Sequence, residues 1–228
     1  RKLKADWYAA HYDHAATNAY HTEYTVTASG VTLHTHVGIA AICVQKFLDL
    51  DVTWTVANNG SVDLALHAQR NTVFPELPRF GLRLFLPQEM SQVNYYGMGP
   101  MECYRDKHHA ASHSSYTATV WQLHEDYIRP QENGSHFDCD YVMLAGDAVR
   151  LTAVGTQPFS FNASHYTQEE LTRKAHNYEL EPCGSTVLCL DYAQNGIGSE
   201  SCGPRLLEQY RLDDATFNFG LRLFPEKK

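Results

Sequence analysis

The sequence predicts an all-β fold: a large antiparallel β-sandwich with at most one or two short helices. Three observations carry that reading. Apolar and polar residues alternate with period 2 along most of the chain, β-branched types concentrate in those stretches, and turn residues separate nearly all of them. A chain of 228 residues buries roughly 70–75% of its unfolded surface, which suits a single domain over residues 1–228.

The elements follow in order. Residues 23–27, 31–37 and 47–56 alternate and read as the first strands. The third is the clearest, with Leu48, Leu50, Val52, Trp54 and Val56 set against Asp49, Asp51, Thr53 and Thr55. Asn58-Asn59-Gly60 supplies positive-φ residues for a hairpin, and residues 62–68 alternate again on the return. Later strands are expected at 81–86, 92–96, 137–144, 148–153, 159–163, 186–192 and 216–224. A short helix is expected after Thr167, an N-cap residue with Glu170 at capping-box spacing. Gly97, Gly99 and Pro100 mark a sharp change of chain direction, since glycine permits positive φ and proline fixes its own.

Composition removes several function classes. Lys and Arg number 18 against 26 Asp and Glu, giving −8 with neutral histidines, and the two signs are interspersed. Phosphate backbones need a basic stripe, so nucleic acid is excluded as a partner. The longest apolar stretch, residues 37–44, contains Gly38 and stops at Gln45, well short of the roughly 20 residues that cross a bilayer. No membrane partner is expected. The six cysteines form no Cys-x-x-Cys pair, which argues against a zinc knuckle or disulfide framework and suits reduced thiols in a cytoplasmic protein. Asn59, Asn133 and Asn162 match glycosylation acceptors and read as turn chemistry. The chain opens Arg1-Lys2-Leu3-Lys4 without Met or an apolar signal segment, as a piece of something longer would.

Two segments carry a family resemblance: Tyr96-Gly97-Met98-Gly99-Pro100-Met101-Glu102-Cys103-Tyr104-Arg105-Asp106 and Tyr127-Ile128-Arg129-Pro130-Gln131-Glu132-Asn133-Gly134. Together they resemble the carboxy-terminal domain of the LacZ-type beta-galactosidases of glycoside hydrolase family 2. Leu77-Pro78-Arg79-Phe80-Gly81-Leu82 and Asn195-Gly196-Ile197-Gly198-Ser199-Glu200-Ser201-Cys202-Gly203-Pro204 agree in kind and order. The resemblance implies a galactose-mutarotase-like supersandwich. It also implies a truncated one, because Asp6-Trp7-Tyr8-Ala9-Ala10 is similar to a segment that follows the domain's first strands in that family. An apolar patch or strand edge left by truncation is expected to favour self-association.

The same resemblance implies a parent enzyme of lactose catabolism that removes terminal non-reducing β-D-galactose from β-galactosides by a retaining, two-glutamate mechanism. The catalytic barrel and other domains of that homo-oligomer would be this chain's partners, and both catalytic glutamates would lie in the barrel. No catalytic residue, cofactor or metal ligand is then expected here, and magnesium and sodium would be held elsewhere in the parent. The loop over residues 195–204 would reach the active-site mouth, making Glu200, Ser201 and Cys202 the candidate contacts to a β-galactoside. Cys202 matches a position where some members carry a Trp that stacks on the aglycone, and a thiol replaces that broad apolar plane with a small, weakly hydrogen-bonding group. The alternative is a Cys202 packed under the loop.

The remaining constellations have bland readings beside them. Glycoside hydrolysis needs two carboxyl groups about 5–5.5 Å apart for retention, and Glu102 and Glu132 are the best pair. Both sit in turn-rich motifs and read as structural, while the adjacent Glu125 and Asp126 would point apart on a strand. His34 with His36, and His108 and His109 with His113, lack an accompanying carboxylate motif and read as surface histidines rather than metal ligands. A carbohydrate-binding module would need a coplanar exposed set drawn from Tyr95, Tyr96, Tyr104, Tyr116 and Trp121. An aldose epimerase would need His176 and Glu179 facing one pocket.

Overall fold

Alternation dictates sheets here, and the computed structural model, which describes residues 2–196 and 204–228, is built from eleven antiparallel strands. These are β1 (Ala16–Thr27), β2 (Gly30–Ala40), β3 (Leu48–Ala57), β4 (Val62–Arg70), β5 (Arg79–Pro87), β6 (Gln92–Gly99), β7 (Ser112–Thr119), β8 (Ser135–Ala145), β9 (Val149–Ser164), β10 (Ser185–Gln194) and β11 (Thr216–Lys227). Two short α-helices accompany them, α1 (Lys2–Ala9) and α2 (Gln168–Arg173). The expected all-β fold with two short helices is the one that forms. No helix among the described residues is long and apolar enough to cross a membrane.

The main path runs β1-β2-β3-β4-β11-β9-β8-β6-β7. At β9 the sheet divides. One flank of β9 pairs with β8 along both halves, whereas the other pairs with β11 from Val149 to Gly155 and with β10 from Ser160 to Ser164. Beyond β10 lies β5, so β5 and β10 form a second layer over β3, β4 and β11. Leu82, Leu84, Leu86, Leu188 and Leu190 from that layer meet Trp54, Leu64, Leu66 and Leu221 across the core. Leu64, Leu188, Leu190 and Leu221 are buried, each worth about 1.5–3 kcal/mol, and the other five are partly buried. Phe217 closes one end of the core, stacked on Tyr192 at 4.4 Å and edge-on to Phe80 at 4.9 Å.

Local differences from the expectations have physical reasons. The stretches 148–153 and 159–163 are one strand, β9, continuous through Gly155 and Pro158. β7 is an additional strand and α1 an additional helix. The first turns of the chain are held by tertiary contacts, Trp7 donating to the Glu76 carbonyl at 2.8 Å and Tyr12 to the Pro75 carbonyl at 2.7 Å. Thr167 caps α2 by accepting from the Glu170 N–H at 3.1 Å, but the Glu170 carboxylate turns to Arg173, Lys174 and the Glu181 N–H, so half of the capping box forms.

Gly97 and Gly99 do not take the positive φ expected of them. A Cβ on Gly97 would lie 2.8 Å from the Cys139 Cα, and one on Gly99 would strike the Tyr95 hydroxyl, so these glycines permit close packing of β6. Of Asn58, Asn59 and Gly60, only Gly60 has positive φ, at 85°. Asn59 does form the expected local turn, accepting from the Ser61 N–H at 3.0 Å. Asn162 is instead a buried strand residue whose amide donates to the Asn133 carbonyl.

Candidate functional site

The two motifs that carried the resemblance fold against each other. In the turn after β6, Glu102 is buried and its carboxylate accepts from Lys107 Nζ at 2.7 Å, from the Gly134 N–H at 2.9 Å, and from the Tyr127 hydroxyl. Burial works to raise this carboxyl, but those three donors outweigh it and hold it below its ordinary value. Gly134 reaches the carboxylate with a φ of 69°, a conformation that favours glycine. Glu102 is thus a staple between segments.

Beside it, Arg79 joins two acids from distant parts of the sequence. It donates to both oxygens of Asp191 at 2.9 and 2.6 Å and to Glu132 Oε2 at 3.1 Å. Burial lifts the Glu132 carboxyl above its ordinary value in spite of Arg79. Its Oε1 is buried without a hydrogen-bond partner among the described residues. Both glutamates join distant segments, Glu102 through Lys107, Tyr127 and Gly134, and Glu132 through Arg79.

Above this network opens a cleft of about 230 Å³. Tyr104 and Arg105 come from the first motif, Asp138 from β8, Ser160 from β9, and Tyr192, Asn195 and Gly196 from the end of β10. Asp138 stands out because it is a non-glycine residue with φ of 55°, at a bulge that shifts the β8 register between His136 and Cys139. Such a conformation costs on the order of 1 kcal/mol, less for Asp and Asn than for other side chains. His113 Nε2 lies 3.0 Å from the Asp138 carbonyl and pins the bulge.

Asn195 anchors the segment that leaves β10. Its N–H donates to the Pro78 carbonyl at 2.9 Å and its Oδ1 accepts from the Leu212 N–H at 3.4 Å, while its Nδ2 is buried without a partner among the described residues. Gly196 lies so near Asp106 that a Cβ there would strike the carboxylate. On the far side of the loop, Arg205 donates to Glu76 at 2.8 Å. The candidate contacts Glu200, Ser201 and Cys202 lie outside the described residues.

The other candidate groups separate. His34 and His36 share a face, each at 3.0 Å from a β3 side chain, Thr53 and Asp51 respectively. Among the described residues no group of His, Cys, Asp and Glu is arranged to hold a metal ion. The described cysteines 43, 103, 139, 183 and 189 are free thiols. Tyr95 and Tyr104 are buried, which removes them from any exposed aromatic plane. His176 and Glu179 form a local cap, the carboxylate accepting from the Ala175 and His176 N–H groups at 3.0 Å. Arg105 lay in a motif singled out from sequence, but Asp138 had no sequence signal, because its importance rests on a backbone angle.

Comparison with known proteins agrees with the motifs. The family described as "Beta galactosidase small chain" matches residues 1–223. A beta-galactosidase of Actinobacillus pleuropneumoniae is 42% identical over 227 residues, covering 100% of this chain and 22% of that protein. A beta-galactosidase of Staphylococcus xylosus is 37% identical over 221 residues, covering 97% and 22%. The chain therefore spans about a fifth of the length of these relatives. A galactose 1-epimerase structure from Lactobacillus acidophilus NCFM superposes with a TM-score of 0.46 at 10% identity, over 90% of this chain and 66% of that one.

Proposed function

Because the chain belongs to the beta-galactosidase small-chain family, we propose that it works as the non-catalytic carboxy-terminal domain of an enzyme that hydrolyses terminal non-reducing β-D-galactose residues in β-galactosides. It packs beside a catalytic barrel that supplies the two glutamates of a retaining mechanism, and its loop over residues 195–204 completes the active-site mouth. Magnesium and sodium belong to other domains of that cytoplasmic, homo-oligomeric parent. The observation that carries this reading is convergence: the first motif and the segment leading into the loop meet on one cleft, while Glu102 and Glu132 are occupied by Lys107 and Arg79.

Two measurements test it. The purified chain should release no nitrophenol from a nitrophenyl β-galactoside above a mock preparation, and release would overturn the non-catalytic assignment. In the complete enzyme, Cys202→Trp should strengthen glucose as an acceptor by about 0.5–1.5 kcal/mol through stacking, with little change in cleavage of an activated galactoside. If neither property moves, the loop does not reach the acceptor.

A further inference from the structure

We propose that Asn59 is a site of spontaneous covalent modification, cyclising with the backbone of Gly60 to a succinimide that water opens to aspartate or isoaspartate, and that the fold confines this chemistry to one of three Asn-Gly pairs. The pairs are Asn59-Gly60, Asn133-Gly134 and Asn195-Gly196. Glycine favours the reaction because no Cβ shields its amide nitrogen or restricts its backbone. By sequence the three are alike.

The structure separates them. Asn59 and Gly60 are exposed at the tip of the β3–β4 hairpin, and a Cβ on Gly60 would meet nothing within 4 Å. Asn59 Oδ1 accepts from the Ser61 N–H at 3.0 Å and from the Ser61 hydroxyl at 2.8 Å. Both donors sit on the oxygen that gains negative charge when a nitrogen attacks Cγ, which is how an oxyanion hole lowers a barrier. One bond opposes attack, the Gly60 N–H donating to the Ala57 carbonyl at 2.9 Å, and it lies in an exposed turn where local opening is easy.

The other two pairs are locked. Asn133 and Asn195 are each 5% exposed. Asn133 Oδ1 accepts from the Glu125 N–H, its Nδ2 donates to the Gln131 carbonyl, and the Gly134 N–H is held by the Glu102 carboxylate. Asn195 Oδ1 is engaged by the Leu212 N–H, and Gly196 is crowded by Asp106.

The step balances with water as the one co-reactant. The Gly60 nitrogen gives its proton to solvent base and bonds to Asn59 Cγ, the Cγ–Nδ2 bond breaks, and ammonia leaves. Water opening the ring at Cγ yields aspartate, whereas opening at the backbone carbonyl yields isoaspartate, whose main chain runs through the side-chain carbon. Either product adds one negative charge to a chain already at −8. Isoaspartate also lengthens the turn by one carbon. That extra length strains a neighbouring link, because the Asn58 N–H donates to the Ser29 carbonyl at 3.0 Å and its Nδ2 to the Ala28 carbonyl at 2.7 Å, tying this tip to the β1–β2 turn.

The test incubates the intact 228-residue chain at mildly alkaline pH, with and without urea, and separates the asparagine, aspartate and isoaspartate forms of each peptide by chromatography and mass spectrometry. In the folded chain Asn59 should convert at least about tenfold faster than Asn133 or Asn195, and in urea the three rates should converge. Ser61→Ala, which keeps the N–H, should slow Asn59 several-fold, less than the roughly 10²–10³ that one donor contributes in a water-excluded site. Hydrogen exchange at the Asn58 amide should be faster in the isoaspartate form than in Asn59→Asp, which carries the charge without the extra carbon. Equal rates in the folded chain, a difference that survives in urea, or an unchanged rate in Ser61→Ala would each overturn the proposal.

Discussion

Arg79 and Asp191 meet side-on across β5 and β10, the guanidinium Nε and one terminal nitrogen donating to the two carboxylate oxygens at 2.9 and 2.6 Å. Asp191 is 2% exposed, so the pair is held away from water on the carboxylate side. Losing one partner of a buried pair costs about 3–5 kcal/mol when the other charge is left unpaired, but Arg79 keeps Glu132 at 3.1 Å. Asp191→Ala should therefore lose about 1.5–3 kcal/mol, the scale of hydrogen bonds to a charged group, by urea unfolding. A loss under about 1 kcal/mol, the scale of a surface pair, would mean that water reaches the guanidinium.

Acid should weaken the fold through His136, which is 1% exposed and stacked on Phe161 at 5.0 Å. Burial pushes its imidazole from 6.5 down to about 4. The unfolded chain then takes up the proton first, so the contribution is complete above pH 6.5 and is lost as pH falls toward 4. With each unit worth about 1.4 kcal/mol, roughly 3 kcal/mol is at stake. His124, also lowered by burial, likewise begins to lose its contribution as pH falls below 6.5, while Glu102 adds its loss only below the ordinary carboxylate value of 4.5. His136→Phe should flatten the stability profile between pH 6.5 and 4.5, and an unchanged slope there would remove His136 as its source.

Two glycine substitutions should differ in kind. Gly97→Ala drives a methyl toward the Cys139 backbone and should cost about 1–3 kcal/mol as overpacking. Gly60→Ala meets nothing within 4 Å but must hold a φ of 85°, so its cost should be nearer 1 kcal/mol. Crystal or NMR analysis of Gly97→Ala should show β6 displaced from β8. An undisplaced β6 at full stability would contradict the close-packing account.

The β1 edge should associate. All twelve residues of β1 are exposed, Tyr24 at 72% and Val26 at 67%, and among the described residues β1 pairs only with β2. Long exposed edges with apolar side chains are templates for pairing. Weight-average mass by sedimentation should rise with concentration, and Val26→Lys should suppress the rise. A monomer at all concentrations would show that the bulge between Ala19 and His21 is enough to protect the edge.

Most of the architecture was legible because alternation is local, and 47–56 with 62–68 was read as the hairpin that forms. β7 was not legible: Ser112–Thr119 offers only Tyr116 and Ala118 as apolar residues, and its extended form comes from pairing with β6. α1 escaped for a related reason, since Lys2–Ala9 has no acidic first turn and no basic last turn, and the chain just beyond it is fixed by the Pro75 and Glu76 carbonyls. At the site, Glu102 and Glu132 are visible as motif members, but Asp191, which engages Arg79 through both oxygens, lies 112 positions from it. Pairing at that separation leaves no trace in spacing, and neither does the φ of Asp138.

Strand β9 belongs to both layers, and that shared membership governs how the molecule comes apart. Opening the β10–β5 layer breaks the bonds of Ser160 to Ser164, and opening the β11 flank breaks those of Val149 to Gly155, all on one continuous strand between the same β8 contacts. Neither layer can open without breaking bonds of β9, so β9 amides should be among the slowest in the chain to exchange hydrogen.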